Sequence, residues 1–234
     1  MRGLKGRIEA ALADDGCDIN SWLVNAALPF GYAEQFLVRA KRGLTCDPLR
    51  SLSWFHVARA AFWSNERQAA LSYAQEGMEK APNAWLAMMN IHLMTAEGHY
   101  EDAERVIDSQ LQRRNEALTF KALIAAQQGD VERHRELIEE FKAEYIGSGK
   151  DLQANEFWLF LALAWGGLRE EANALAAIVD RSRVGPKTLA SFALWCGCGA
   201  PWDLEATPQF AKQLEESGLA WPPAPLMQYT LKNW

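Results

Sequence analysis

The sequence predicts an all-α protein, and three observations carry that prediction. Apolar residues recur at helical spacing through most of the 234 residues. No run of β-branched residues alternates with polar ones between hairpin-type turn signals. One pattern of small and apolar residues returns after 34 positions. Ala, Leu and Glu, all good helix formers, are abundant, while Val and Ile are few. Hydrophobic residues make up 49% and charged ones 23%, so the chain is expected to fold around a sizeable core rather than stay disordered. Ten tryptophans imply a core or groove that uses large flat side chains for area.

Taken in order, residues 1–18 read as an N-terminal capping helix. Leu4, Ile8, Ala11 and Leu12 share one face, and Asp14-Asp15-Gly16 stops it. Ile19 to Ala27 and Tyr32 to Leu44 read as a helix pair split by Pro29-Phe30-Gly31. The repeat emerges next. Ala40 and Ala74, Gly43 and Gly77, Leu44 and Met78, and Pro48 and Pro82 are each 34 residues apart. Small residues let neighbouring helices approach closely, and each proline ends its helix before the next pair begins.

Between the two prolines the chain resembles the tetratricopeptide repeat. Trp54, Val57, Ala58 and Ala61 stand at that family's first-helix positions, and Ala70, Ala74, Gly77 and Pro82 at its second-helix positions. Ala61 and Ala74 are smaller than usual, with Phe62 and Trp63 available to fill the volume. Gly98-His99-Tyr100-Glu101-Asp102-Ala103 looks like the family's turn between helices, with Ala103 falling 33 residues after Ala70. Ala122, Ala125 and Gln128 to Glu132 suggest a further pair, and Trp158 to Trp165, Gly166-Gly167-Leu168 and Glu170 to Val179 another. The resemblance covers residues 19–182. It implies four or five antiparallel helix pairs in a right-handed superhelical stack, with a general role in protein interaction.

Residues 183–234 read as a helical C-terminal cap. Gly185-Pro186 breaks the array, and Thr188 to Trp195 forms a helix. Thr207 N-caps another helix that has Pro208 at its first position, runs through Glu216 and stops at Gly218. Trp221-Pro222-Pro223-Ala224-Pro225 excludes regular helix. Asp47-Pro48-Leu49, with Thr207-Pro208-Gln209-Phe210 through Leu219, also resembles the tetratricopeptide tail of bacterial regulators that carry a TolB-like segment. This chain has neither the winged-helix nor the cyclase domain of those regulators, so the resemblance implies the tail alone.

The net charge of −6 opposes non-specific nucleic-acid binding, which needs clustered Lys and Arg; Lys41-Arg42 and Arg113-Arg114 are too isolated. No apolar h-region follows the basic residues at the N-terminus, so no signal peptide is read. The most apolar stretch, Phe157 to Leu168, is shorter than the ~20 residues of a membrane span. The expectation is a soluble, cytoplasmic protein. Cys17, Cys46, Cys196 and Cys198 match neither a redox CxxC nor a zinc knuckle and read as free thiols. His56, His92 and His99 read as structural, and His134, beside Arg135 and Glu136, as part of a solvated face. Glu132, Glu136, Glu139, Glu140, Glu170 and Glu171 read as helix-face ion pairs. No metal-binding, nucleophile-elbow or phosphate-loop motif is present. No cofactor, metal or catalytic residue is therefore expected.

The resemblance implies that first helices line a concave groove. Phe55, Arg59, Phe62, Asn90, Met94 and Lys121, with Trp63 beside them, are then the candidate ligand-binding residues, and the partner is a protein or peptide. Against this, Phe62 and Trp63 can instead pack on the neighbouring pair. The family's carboxylate clamp for chaperone tails is not matched at Phe55 and Arg59. The alternative is a small-molecule sensor with an apolar pocket at Trp158, Trp165 and Trp195. Self-association is compatible with either.

Overall fold

A computed structural model describes residues 4–14, 16, 17, 19, 23, 27, 28, 30–146, 152–182, 189 and 202–218. Among these residues the chain is all-α, with no strand. The helices are α1 (Leu4–Ala13), α2 (Ala33–Cys46), α3 (Ser51–Trp63), α4 (Arg67–Lys80), α5 (Ala84–Ala96), α6 (Tyr100–Gln110), α7 (Arg114–Gln128), α8 (Val131–Tyr145), α9 (Leu152–Trp165), α10 (Arg169–Asp180) and α11 (Pro208–Ser217). A short 3-10 turn, Leu204–Ala206, precedes α11.

From α3 to α10 the helices form four consecutive pairs. Within a pair the two helices pack together. The first helices α3, α5, α7 and α9 also pack on one another in succession, and each second helix packs on the first helix of the next pair. The consecutive packing expected of a helical repeat is therefore present.

The turn inside each pair has one repeated geometry. Asn65, Gly98, Gly129 and Gly167 all take positive φ, and so does Gly31 before α2. In each case the following N–H reaches back five residues: Tyr32 to Ala27, Glu66 to Ala61, His99 to Met94, Asp130 to Ala125 and Leu168 to Leu163, at 2.8–3.0 Å. The positive-φ residue itself donates to the carbonyl three residues back. This is the Schellman arrangement, which satisfies the last carbonyls of a helix and favours Gly or Asn at the left-handed position. Five equivalent turns mark five helix ends of one kind.

Close approach explains the recurring glycines. A Cβ on Gly77 would lie 2.6 Å from the Trp54 Cβ, so Trp54 of α3 rests directly on the α4 backbone. The Trp54 indole N–H donates to the Pro48 carbonyl at 2.8 Å, which ties the tryptophan to the entry of its own helix. Gly43 of α2 takes Ile19 in the same way. In α1, Ile8 is fully buried with Ala11 and Leu12 packed beside it, as the spacing predicts.

Residues 202–218 dock on the last pair. Trp202 sits between Phe160 of α9 and Phe210 of α11, with ring centroids 5.8 and 5.4 Å away. Arg169 grips Asp203 through two nitrogens at 2.9 and 2.8 Å, and Asn173 adds a 2.6 Å bond. Two sequence expectations change here. Thr207 occupies the N-cap position, but its hydroxyl accepts the Trp202 indole N–H at 2.9 Å and makes no capping bond. Asp180, at the end of α10, caps α11 instead, accepting from the Gln209 and Phe210 amides at 2.9 Å each. The expected helix from Thr188 to Trp195 and the Trp221–Pro225 segment lie outside the described residues.

Candidate functional site

The row of first helices carries both the predicted contact residues and the most unusual chemistry. From Ser53 to Trp63, α3 is buried at every position, and α5 and α9 are nearly as enclosed. Four of the six predicted contact residues, Phe55, Arg59, Phe62 and Asn90, lie in this buried layer. Met94 is half-buried. Lys121 turns towards the preceding pair, where it meets Asp108 of α6 at 2.8 Å.

The structure brings these residues together in two groups. In the first, the Arg59 guanidinium lies over the Phe55 ring, 5.7 Å from its centroid, and Trp85 approaches the same ring at 6.1 Å. His56 adjoins Phe55 at 5.8 Å and reaches Phe36 of α2 at 6.4 Å. In the second, His92 is fully buried, meeting Phe62 edge-on at 5.9 Å and Trp165 at 5.3 Å. Phe120 continues the line between Trp165 at 5.8 Å and Trp158 at 6.2 Å. His92 of α5 thus touches the pair before it and a pair two steps on, so one aromatic line links three pairs. Trp158 and Trp165, two residues of the alternative ligand site, are buried in that line, and Trp195 lies outside the described residues.

Burial sets the charge state of the row. The His56 imidazole is pushed down to about 3, first by burial and then by the nearby Arg59 and Arg50 charges. Burial alone holds His92 well below the usual imidazole range. Both rings are neutral near pH 7. Neutral imidazoles and a ring-stacked guanidinium suit recognition of polar and aromatic groups. Among the described residues no group of three His, Cys, Asp or Glu side chains is placed to hold a metal ion.

His134 departs from the sequence reading. Its ring is buried against Gly166, and Nε2 lies 3.1 Å from the Ala162 carbonyl, so it joins α8 to α9 instead of facing solvent. His99 is exposed in its turn. Two of the acidic residues form the expected helix-face pairs, Glu136 with Arg133 at 3.0 Å and Glu139 with Lys142 at 2.9 Å, whereas Glu171 meets Lys142 at 3.1 Å and Glu140 meets Arg114 across helices.

The cysteines bring the clearest correction. Cys17 and Cys46 are joined by a disulfide with Cα atoms 5.9 Å apart, so these two are not free thiols. Their spacing in sequence carries no signal for this, because the pairing depends on how the N-terminal segment folds back on α2. Cys196 and Cys198 lie outside the described residues.

Trp85 is the residue that sequence reasoning missed. It follows the N-cap Asn83, whose side chain accepts the Leu86 amide at 2.9 Å, and it stays 38% exposed while touching Phe55. An aromatic in the first turn of a first helix, one period after Ser51, was the available sign.

No family model, curated protein or solved structure matches this chain.

A shallow open recess of about 340 Å³ lies where the α5–α6 turn meets the end of α7, lined by Gly98, His99, Tyr100, Glu101, Asp102 and Gln128. Its openness to solvent and mostly polar lining make it a poor enclosure for a ligand.

Proposed function

We propose that the chain is a tetratricopeptide-like interaction module that takes an extended peptide or a partner helix along its first helices. One observation carries this reading. A row buried as completely as α3 and α5 would be most stable with apolar residues, yet it holds His56, Arg59, Asn90 and His92. Buried polar groups are expensive unless matched by partners. The Asn90 Oδ1 and His56 Nδ1 have no hydrogen-bond partner among the described residues. Both atoms are enclosed in the row, so in this reading a partner matches them only as the row opens to admit it. Trp85, half-exposed beside Phe55 and Arg59, is the point of entry.

In this reading the stack is a right-handed superhelix and binds by pre-organised shape rather than catalysis. A setting in the cytoplasm and a place as the tail of a bacterial regulator both remain part of the proposal. The second rests on the Asp47–Leu49 and Thr207–Leu219 resemblance alone.

The test is a peptide-array selection on the intact chain, followed by titration of the selected peptides. Trp85→Ala together with Phe55→Leu should weaken their binding by about tenfold, ~1.4 kcal/mol, as loss of aromatic anchors does. Circular dichroism melting of the double variant controls for folding. Peptides that bind wild type and variant alike, or that shift no resonance of Trp85, Asn90 or Met94, would place recognition elsewhere.

The small-molecule reading draws on the Trp165 Nε1, which is buried without a partner among the described residues. A ligand that raises the melting temperature and quenches tryptophan emission, without competing with selected peptides, would favour it.

A further inference from the structure

Among the described residues, the N-terminal segment is held to the stack by the Cys17–Cys46 bond, by Ile8, which is fully buried with Ala11 and Leu12 packed beside it, and by a set of polar contacts. The bond spans 29 residues and joins the segment after α1 to the last residue of α2. Both cysteines are exposed. Two residues beyond Cys17, Ile19 is seated on Gly43, where a Cβ would meet its Cδ1 at 2.8 Å. Of the polar anchors described, the Arg39 side chain is buried and its partners lie at the surface. Arg39 reaches Asp14 at 3.3 Å and bonds the Gly16 carbonyl, and the Tyr32 hydroxyl donates to Glu9 at 3.2 Å. On α2 itself, Phe36 and Ala40 are fully buried.

We propose that Cys17–Cys46 is a reversible thiol–disulfide exchange site, and that its reduction loosens the hold of α2 on residues 4–17. The co-reactant is a protein or small-molecule dithiol. One of its thiolates attacks an exposed sulfur, forms a mixed disulfide and expels the other cysteine as a thiolate, which takes up a proton. The second thiol of the reductant, as its thiolate, then attacks the mixed disulfide and frees the remaining cysteine, which is protonated in turn. Two electrons pass to the protein, two protons end on Cys17 and Cys46, and the reductant leaves as its own disulfide. Exposure of both cysteines gives the attacking thiolate its access. A bond of this kind fits a reducing compartment, where protein disulfides are transient and redox-sensing. The proposal is independent of the peptide-binding reading, since it concerns the opposite end of α2 from the aromatic contacts.

The test uses the whole chain purified without reductant. Peptide mass mapping after alkylation should find Cys17 and Cys46 joined. Under native conditions a dithiol such as dithiothreitol should then open the bond, so that both become alkylated without denaturant. Amide exchange in residues 4–17 should rise by about tenfold or more, as expected when a segment loses its tether, while residues 84–110 stay unchanged. Reoxidation should restore protection. The double variant Cys17→Ser/Cys46→Ser should show the reduced pattern from the start, and if it fails to fold, the reversible reduction of the native chain gives the answer. Free thiols in the unreduced protein would overturn the proposal. So would a bond that resists dithiol until the chain is unfolded, or reduction that leaves exchange across residues 4–17 as it was.

Discussion

The two rows of helices solve the burial problem in different ways. The second helices α4, α6, α8 and α10 bury a narrow stripe: Ala70, Leu71, Ala74 and Gly77 in α4, or Leu137, Ile138 and Phe141 in α8. Their other faces carry exposed ion pairs. The first helices α3 and α5 bury almost every residue, because each is surrounded by its own second helix, the preceding second helix and the neighbouring first helices. An amphipathic helix is designed for one interface and an all-round buried helix for several. The second row therefore tolerates surface change, while the first row is exposed to every packing error and hosts the polar groups that demand a reason.

The sharpest way to break this contrast is to truncate one large apolar side chain in each row. Phe120 is fully buried between Trp158 and Trp165, and truncation to Ala should destabilise the chain by about 3–5 kcal/mol through lost burial and an unfilled cavity. Ile178 of α10 is 53% exposed, and Ile178→Ala should change stability by less than ~0.5 kcal/mol. Denaturant midpoints measured on both variants decide the matter. Similar losses would mean that the rows are not distinct in enclosure.

Acid sharpens the same contrast through His56. Its folded value of about 3 lies below the ordinary 6.5, so between these limits the unfolded chain binds one more proton than the folded chain. Stability from this group is constant above about pH 6.5, falls by up to ~1.4 kcal/mol per pH unit below it, and levels off near pH 3. Carboxylates titrate in the same range, so the readout is a difference. His56→Phe keeps the ring contacts to Phe36 and Phe55 and cannot take up the proton. Its unfolding midpoint should fall less steeply than that of the native chain from pH 6.5 to pH 4.5. Parallel curves would show that His56 is not shielded as the row requires.

The difference between the rows also explains what could be read from the sequence. The second helices declared themselves by spacing, and the turns by Gly98, Gly129 and Gly167, whose left-handed conformation suits glycine. Asn65 fills the same role in the α3–α4 turn and escaped notice because asparagine is a weaker sign of that conformation. Gly77 and Trp54 were legible because a 34-residue period repeats the close contact at Gly43. The first helices were harder. A helix buried on all sides has no polar face to mark its orientation, so the direction of Phe55, Arg59, Phe62 and Asn90 could not be fixed by periodicity. His134 was misjudged for a related reason. Its charged neighbours Arg133, Arg135 and Glu136 are exposed, and only the position of Gly166, in the turn after α9, reveals the slot that takes its ring. The Cys17–Cys46 bond depends on a long-range approach that local patterns do not encode.

The smallest effect concerns the end of the second row, where Asp180 leaves the amphipathic pattern to serve another helix. Its fully buried carboxylate accepts the Gln209 and Phe210 amides, two of the donors that α11 cannot satisfy internally. Asp180→Ala removes both acceptors and should cost about 1–2 kcal/mol, felt first as faster amide exchange at Gln209 and Phe210. Asp180→Asn keeps one carbonyl acceptor and should cost less. Thr207→Ala is the discriminating control. If the threonine at the N-cap position held the helix by the usual local bond, its loss would free those same amides. The geometry says instead that Thr207→Ala frees the Trp202 indole N–H and leaves Gln209 and Phe210 protected. Exchange at Gln209 and Phe210 that rises in Thr207→Ala and not in Asp180→Ala would return the cap to the local residue. It would also reduce Asp180 to one more buried member of the stripe.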